Sequence, residues 1–154
     1  MPDEARSKDA LLQRLVADPR WTLAYDLATF WSGLLFFVGS FLFFPRLYDR
    51  PNMPALAASL FIAGCALFAT SSAMAWIAER TLAAQLSTVA ACLYAAGSVF
   101  YLPSHDIFVA DVLFAVGSVV LALGALRTLS TRADLLDFFI FAGASCYFVG
   151  SVVG

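Results

Sequence analysis

The sequence predicts an all-α integral membrane protein with five transmembrane helices, built from two and a half repeated helical hairpins. Hydrophobic residues make up 62% of its 154 residues and charged residues only 13%. A soluble domain typically has roughly 45–50% hydrophobic residues and about 25% charged residues. Long stretches without Asp, Glu, Lys or Arg recur along the chain. Two of these stretches contain the same short pattern around a Gly-Ser pair.

The uncharged stretches define the membrane spans, because a helix needs about 20 mostly apolar residues to cross the hydrocarbon core. Helices are predicted rather than strands, since the runs are long and do not alternate between apolar and polar residues. The five spans are Leu27–Pro45, Pro51–Ala78, Thr81–Ser104, Ile107–Leu126 and Phe138–Gly154. The fourth contains one charge, Asp111, near its start, and the others contain none. The short links between them predict antiparallel neighbours in a compact bundle.

The spans divide the chain into four parts: a tail (1–26), a first hairpin (27–78), a second hairpin (81–126) and a fifth helix (135–154) that is a partial third copy. In the tail, Leu11, Leu12, Leu15 and Val16 share one helical face, which is typical of a helix lying on the membrane surface. A frayed tail is the alternative. The pair Asp18-Pro19 ends this run.

The positive charges predict the orientation of the chain. Seven of the nine Lys and Arg residues lie in the tail or in the second and fourth links, and two lie in the first link. Cytoplasmic loops carry the excess of Lys and Arg, so the N-terminus is predicted in the cytoplasm and the C-terminus outside a bacterial inner membrane. The tail has no apolar core of a secretory signal, so the first membrane helix is expected to direct insertion.

The internal repeat is visible without gaps. Phe36–Pro45 aligns with Tyr94–Pro103, Leu60–Cys65 aligns with Leu113–Ser118, and Tyr147–Ser151 is a third partial copy. Glycine lets membrane helices approach closely, and serine can bond to a carbonyl one turn back. The predicted helix-packing residues are therefore Gly39, Ser40, Gly64, Gly97, Ser98, Gly117, Ser118, Gly150 and Ser151. The alternative is that these Gly-Ser pairs line a substrate path.

A few polar residues are candidates for a polar or ion site at the outer face. They are Asp111, His105 and Asp106. Asp111 lies near the start of its span and is replaced by Ala58 in the first copy, so it is either part of a cation or proton site or a hydrated helix end. Asp106 is expected to cap the next helix. Asp26 and Asp137 are expected at helix N-termini, where the dipole favours them.

The residue pattern does not predict a disulfide framework, a metal site, a catalytic site or a nucleic-acid-binding surface. Three cysteines without close spacing form neither a disulfide framework nor a zinc pattern. No hydrolase triad, metalloprotease or phosphate-loop spacing occurs, and no metal, cofactor or catalytic residue is predicted. A formal charge of −2 leaves no basic excess for nucleic acid.

The repeated motif resembles the YrhK-like domain family of small multi-pass bacterial membrane proteins. The pattern begins with an aromatic residue three positions before a Gly-Ser pair, and it continues with Phe or Tyr two positions before a proline. After a short loop it continues with Leu-Phe-x-x-Gly-Ser, and Arg127 and Leu129 follow. The likeness covers Leu93–Leu129 well and Trp31–Ala73 more loosely, with Cys65 in place of the second serine. It implies a multi-pass membrane protein and supplies no catalytic residues.

Two functions follow from these patterns. The preferred one is a structural or accessory membrane protein that acts by helix–helix packing, with itself or with a larger membrane complex, in contact with the lipid bilayer. The alternative is a small oligomeric ion channel or transporter with an outward-facing acidic residue. Catalysis is not expected, because an enzyme needs a convergent cluster of ionisable groups.

Overall fold

The computed structural model describes residues 10–42, 45–48, 50–102, 106–131 and 135–153, and these ranges contain helices, short links and no strand. The prediction of an all-α chain is confirmed for this part of it. The helices are α1 (10–16), α2 (Pro19–Leu42), α3 (Pro45–Tyr48), α4 (Met53–Glu79), α5 (Leu82–Phe100), α6 (Ile107–Thr131) and α7 (Leu135–Val153).

Four of the described helices, α2, α4, α5 and α6, are long and apolar enough to cross a bilayer. Each contains or overlaps one of the first four predicted spans. The fifth predicted span is helical over most of its length as α7, but its crossing of the membrane stays a prediction.

The start of α2 differs from the prediction. The helix begins at Pro19, which lacks the backbone N–H that a first helical residue would leave unbonded. The carboxylate of Asp18 accepts from the backbone N–H of Arg20 at 2.9 Å. Asp26 therefore lies about two turns inside α2, and the prediction that it complements the N-terminal dipole is wrong.

The turn between α4 and α5 is as short as predicted. Arg80 adopts a left-handed conformation with φ 52°, and its N–H donates to the carbonyl of Trp76. Thr81 follows, and its hydroxyl accepts from the N–H of Ala84 at 3.2 Å. One left-handed residue and one cap thus reverse the chain between two long helices.

The long helices pack in sequence order: α2 on α4, α4 on α5, α5 on α6, and α6 on α7. Among the described residues, no Cα pair within 8 Å joins any other two of these five helices. The predicted antiparallel neighbours are present, but they form an open row with α2 and α7 at its edges rather than a closed bundle. Short links force each helix beside the previous one and do not by themselves bring the two ends together.

The core of the row is aromatic. Phe61, Cys65, Tyr94 and Phe114 are buried, and Phe36 packs against them from α2. The rings of Phe36 and Phe61 are 5.5 Å apart, and those of Tyr94 and Phe114 are 5.0 Å apart. The rings of Phe61 and Phe114, 6.4 Å apart, join α4 to α6 across the face of α5. This core holds the two hairpins together.

Candidate functional site

The first hairpin is held by two contacts between a glycine and an aromatic ring. A Cβ atom on Gly39 of α2 would lie 2.8 Å from the ring of Phe61 on α4. A Cβ atom on Gly64 of α4 would lie 3.3 Å from the ring of Phe36 on α2. Each helix therefore offers a glycine to a ring of the other, and a side chain at Gly39 would require the ring of Phe61 to move.

The second hairpin makes the same two contacts. A Cβ atom on Gly97 of α5 would lie 2.7 Å from the ring of Phe114, and one on Gly117 of α6 would lie 2.9 Å from the ring of Tyr94. Phe114 aligns with Phe61 in the sequence, and Tyr94 aligns with Phe36. Aligned residues of the two hairpins thus have equivalent partners.

Hydrogen bonds between buried side chains connect α4, α5 and α6. The hydroxyl of Ser98 donates to the carbonyl oxygen of Tyr94 at 2.7 Å, and the Cys65 sulfur lies 3.1 Å from the same hydroxyl. Because the single hydroxyl proton of Ser98 is used, the thiol of Cys65 is the donor to Ser98. The hydroxyl of Tyr94 lies 2.9 Å from that of Ser118. Such bonds join apolar helices without leaving a polar group exposed to lipid.

Ser40 has a different environment from its aligned partner Ser98. The side chain of Ser40 is exposed on α2, and its hydroxyl donates to the carbonyl of Phe36 at 2.7 Å. Ser98 is fully buried, because α5 has a neighbour on each side, whereas α2 packs only on α4 among the long helices. Gly150 and Ser151 lie on α7, and their burial and side-chain contacts are outside the described features.

The candidate polar residues do not form one cluster in the described structure. Asp106 is exposed and caps α6, since its carboxylate accepts from the N–H of Phe108 at 3.0 Å. Asp111 is half-buried on α6 and accepts from the hydroxyl of Tyr101 at 2.8 Å. His105 lies outside the described residues.

The polar interior of the described ranges has its hydrogen bonds satisfied. Every buried side-chain nitrogen or oxygen there has a partner, and no group of three His, Cys, Asp or Glu in these ranges could hold a metal ion. What this arrangement can do is hold four helices at close distance and in fixed register. The site is accordingly a set of helix–helix contacts.

Sequence reasoning missed the aromatic half of these contacts. It singled out the glycines and serines, whereas Phe36, Phe61, Tyr94 and Phe114 provide the rings that fill the space beside the glycines. The signal was available, because both Leu-Phe pairs and both aromatic residues stand in the aligned segments. Tyr101, the hydrogen-bond donor to Asp111, also lies in an aligned segment.

An apolar groove lies between α6 and α7. Its volume is about 250 Å³, and Ser118 and Ser145 are the two polar residues that line it. Ser145 donates to the carbonyl of Phe141 at 2.8 Å. The other lining residues are Val119, Ala122, Leu123, Leu126, Phe141, Ala144, Phe148 and Val149.

Comparison with known proteins gives one family. The model of the family described as YrhK-like protein matches residues 19–79. The first hairpin is therefore similar to this family. The match begins where α2 begins and ends where α4 ends, so the matched segment coincides with one helical pair. The likeness was expected to be clearest over Leu93–Leu129, but the match falls on the first hairpin. No curated protein and no solved structure shows significant similarity to the chain.

Proposed function

We propose that the protein is a structural or accessory protein of the bacterial cytoplasmic membrane, which acts by packing its helices against itself or a larger membrane complex. The observation that carries the proposal is the pair of glycine–aromatic contacts in each hairpin. They fill the interior with rings, while large apolar side chains remain outside, such as Phe30 (62% exposed) and Phe37 (63%) on α2. Such a molecule offers apolar surfaces to lipid and to other helices, and the proposal includes no catalysis.

The proposal includes an architecture of five crossings in two and a half hairpins, with the N-terminus in the cytoplasm and the C-terminus outside. The equivalent contacts of Gly39 and Gly97, and of Gly64 and Gly117, support the repeat. The packing of α7 on α6, which follows that of α5 on α4, supports a partial third copy. The distribution of Lys and Arg supports the orientation.

Co-purification tests the function. A tagged chain is extracted from native membranes in a mild detergent, and the complex is sized and its subunits are counted. We expect a stoichiometric assembly, either of this chain alone or with another membrane protein, that Gly97→Leu disrupts because a side chain there meets Phe114. Gly33→Leu is the matched control, since nothing lies within 4 Å of a Cβ atom at Gly33. Recovery of a lone monomer in several gentle detergents would contradict the proposal.

A flux assay tests the alternative of an ion channel or transporter. Purified protein is reconstituted into liposomes, and proton and cation movement is measured for the wild type, Asp111→Ala and the control Asp106→Ala. We expect no ion movement that depends on Asp111, because its carboxylate accepts a hydrogen bond from Tyr101 and the described residues contain no group of three His, Cys, Asp or Glu side chains. Reproducible flux that only Asp111→Ala abolishes would overturn the structural role.

A further inference from the structure

One face of α2 holds the helix that follows it in the chain. The buried residues of α2 are Ala28, Ser32 and Gly39, and α4 is the long helix that packs on α2. Gly39 meets the ring of Phe61 there, so these three residues lie against α4. The positions of the three, together with the positions that align with them in α5 and α7, are called the forward face of each helix.

The forward face of α5 also holds the helix that follows it. Its residues, aligned with those of α2, are Leu86, Ala90 and Gly97. A Cβ atom on Gly124 of α6 would lie 3.4 Å from the Cβ of Leu86, and one on Gly117 would lie 3.4 Å from the carbonyl oxygen of Ala90. Both complete hairpins therefore use the same face in the same way.

The forward face of α7 is open in the part of the chain that the structure describes. Its residues in the sequence are Phe139, Gly143 and Gly150. Phe139 is 61% exposed, and nothing lies within 4 Å of a Cβ atom on Gly143. α7 packs on α6 through a different face, since Ala144 is 2% exposed and lines the groove between these two helices. The face that binds the following helix in both hairpins therefore has no such helix here.

The two helices that occupy a forward face share a motif. α4 and α6 both contain Leu-Phe-x-x-Gly, at 60–64 and at 113–117. The phenylalanine of each motif fills the space beside the glycine of the forward face. Each of these helices runs antiparallel to the helix that it contacts, because the contacts progress in opposite directions along the two chains. The repeat thus specifies both the sequence and the direction of a helix that fits this face.

The level of Phe139 adds a requirement for a small residue. In α6, Gly124 lies seven positions after Gly117 and packs on Leu86. Ser71 has the same place in α4 and is 3% exposed. Because Phe139 is larger than Leu86, a helix that packs on α7 needs glycine, alanine or serine at this position to avoid overpacking.

A second copy of this chain cannot supply such a helix while it keeps its own fold. The rings of Phe61 and Phe114 are 5% and 3% exposed, and they already fill the space beside Gly39 and Gly97 of their own chain. The edge helices of a copy with the same orientation, α2 and α7, run parallel to α7, because neighbours in the row alternate in direction. The helix that fits must therefore come from another protein.

We propose that the forward face of α7 binds a transmembrane helix of another membrane protein. The bound helix runs antiparallel to α7, contains Phe-x-x-Gly, and has a small residue seven positions after the glycine. Its glycine packs on Gly143, and its small residue packs on Phe139. Close approach of the two backbones drives the association, since no water is expelled between helices in lipid. This inference rests on the proposed function and names the chemistry of the partner.

Disulfide cross-linking to a surrogate helix tests the face. The probe is a tagged polypeptide of residues 106–131, which contain the motif, followed by lysines that keep its C-terminal end in the cytoplasm. It carries Gly124→Cys, and the full chain under a second tag carries Phe139→Cys, with its two exposed cysteines replaced by alanine. The corresponding Cβ positions at Leu86 and Gly124 are 3.4 Å apart, close to the roughly 3.5–4.5 Å of a disulfide. Oxidation of isolated membranes is therefore expected to link the two tags.

The matched control moves the cysteine of the full chain to Phe138. This residue is 54% exposed on another side of α7, and its aligned residue Gln85 is also exposed. The product with Phe138→Cys is expected to be about tenfold less abundant, and Gly143→Leu in the Phe139→Cys chain is expected to reduce the product about tenfold because leucine fills the face. Equal yields from Phe138→Cys and Phe139→Cys, or a yield that Gly143→Leu leaves unchanged, would overturn the inference.

The native assembly gives a second readout. Gly143→Leu is expected to release the partner protein from the assembly purified in mild detergent, while the thermal unfolding of the chain stays unchanged because nothing lies within 4 Å of a Cβ atom there. Gly33→Leu, at an equally open glycine of α2, is the control and is expected to keep the partner bound. The released protein is expected to contain an antiparallel helix with the motif, and a released protein without it would contradict the inference.

The outcomes separate this inference from the proposed function. If another membrane protein co-purifies in fixed ratio and Gly143→Leu does not release it, the forward face of α7 is not the contact and the accessory function stands. An assembly that contains only this chain leads to the same conclusion. If only a lone monomer is recovered, both are wrong.

Discussion

Glycines at different positions in this protein differ in how much space a side chain would have. A Cβ atom on Gly97 would lie 2.7 Å from the Phe114 ring, whereas nothing lies within 4 Å of one on Gly33 or Gly143. Phe114 is itself 3% exposed and is held between Tyr94 and Tyr101. The ring therefore cannot move aside freely, and the contact at Gly97 depends on the absence of a side chain.

Gly97→Ala is expected to lower the free energy of unfolding by about 1–3 kcal/mol, because an added methyl group overpacks the contact with Phe114. Gly33→Ala, the matched control on α2, is expected to be neutral or to raise it by about 0.5–1 kcal/mol, because alanine loses less backbone entropy in a helix. Unfolding in detergent micelles measures both. Equal effects of the two substitutions would remove the packing argument.

The hydrogen bond between Tyr101 and Asp111 gives a second prediction at the residue scale. Tyr101→Phe is expected to cost about 1 kcal/mol, less than the full value of a bond to a charged group because both side chains are partly exposed. Together with Asp111→Ala it is expected to cost less than the sum of the single changes. The double change reproduces the first copy, which has Phe43 and Ala58 at these positions. A double-mutant cycle of unfolding free energies tests this, and additive effects would show that the pair is not coupled.

At the scale of the helices, position in the row decides the environment of equivalent residues. α5 has a neighbour on each side, so Ser98 faces Cys65 of α4 while Gly97 faces Phe114 of α6. α2 is at an edge, and its aligned Ser40 is exposed. Residues that align between the two hairpins are therefore buried in the middle of the row and exposed at its edge.

This difference predicts unequal effects of the same substitution. Ser98→Val is expected to lower the free energy of unfolding by about 1–3 kcal/mol, because it removes the acceptor of the buried Cys65 thiol and inserts a bulkier side chain. Ser40→Val is expected to change it by less than about 0.5 kcal/mol, as for an exposed position. Thermal unfolding in one detergent compares the two variants. A cost for Ser40→Val as large as that for Ser98→Val would mean that Ser40 is covered by something in solution.

For the whole molecule, the number of membrane crossings determines on which sides of the membrane the two ends of this chain lie. Four of the helices that the structure describes are long and apolar enough to span a bilayer, and α7 packs on the last of them. An odd number of crossings places the two ends of this chain on opposite sides, and an even number places them on the same side. The sidedness of the ends therefore reports whether α7 crosses.

Reporters fused before Met1 and after Gly154 are expected to lie on opposite sides of the membrane, because we propose that five helices cross it. An enzyme active only outside the cytoplasm and a fluorescent protein that matures only inside it, exchanged between the two ends, give the readout. A fusion after Glu79, where the chain turns back after α4, is expected on the cytoplasmic side and serves as the internal control. Both ends on one side would reduce the count to four.

Much of the helical layout can be predicted from the sequence, because a helix in lipid satisfies its own backbone and needs only a long apolar run. The boundaries were less accurate at α2, where Pro19 and Asp18 begin the helix before the uncharged run does. Gly39, Gly64, Gly97 and Gly117 were identified as packing positions, and each has an aromatic ring beside it. The open row was not predicted, since link length constrains neighbours and not the ends of a chain.

The sequence by itself determined that this is a helical chain able to span a membrane and that it resembles the YrhK-like family, because hydropathy and motif spacing are local properties. Only the tertiary structure decided the partners: that Phe61 and Phe114 occupy the space beside the glycines, that Cys65 reaches Ser98, and that Tyr101 binds Asp111. It also decided that Ser98 is buried and Ser40 is exposed. The physical reason is that burial depends on which helix lies on each side, and residues close in sequence do not contain that information.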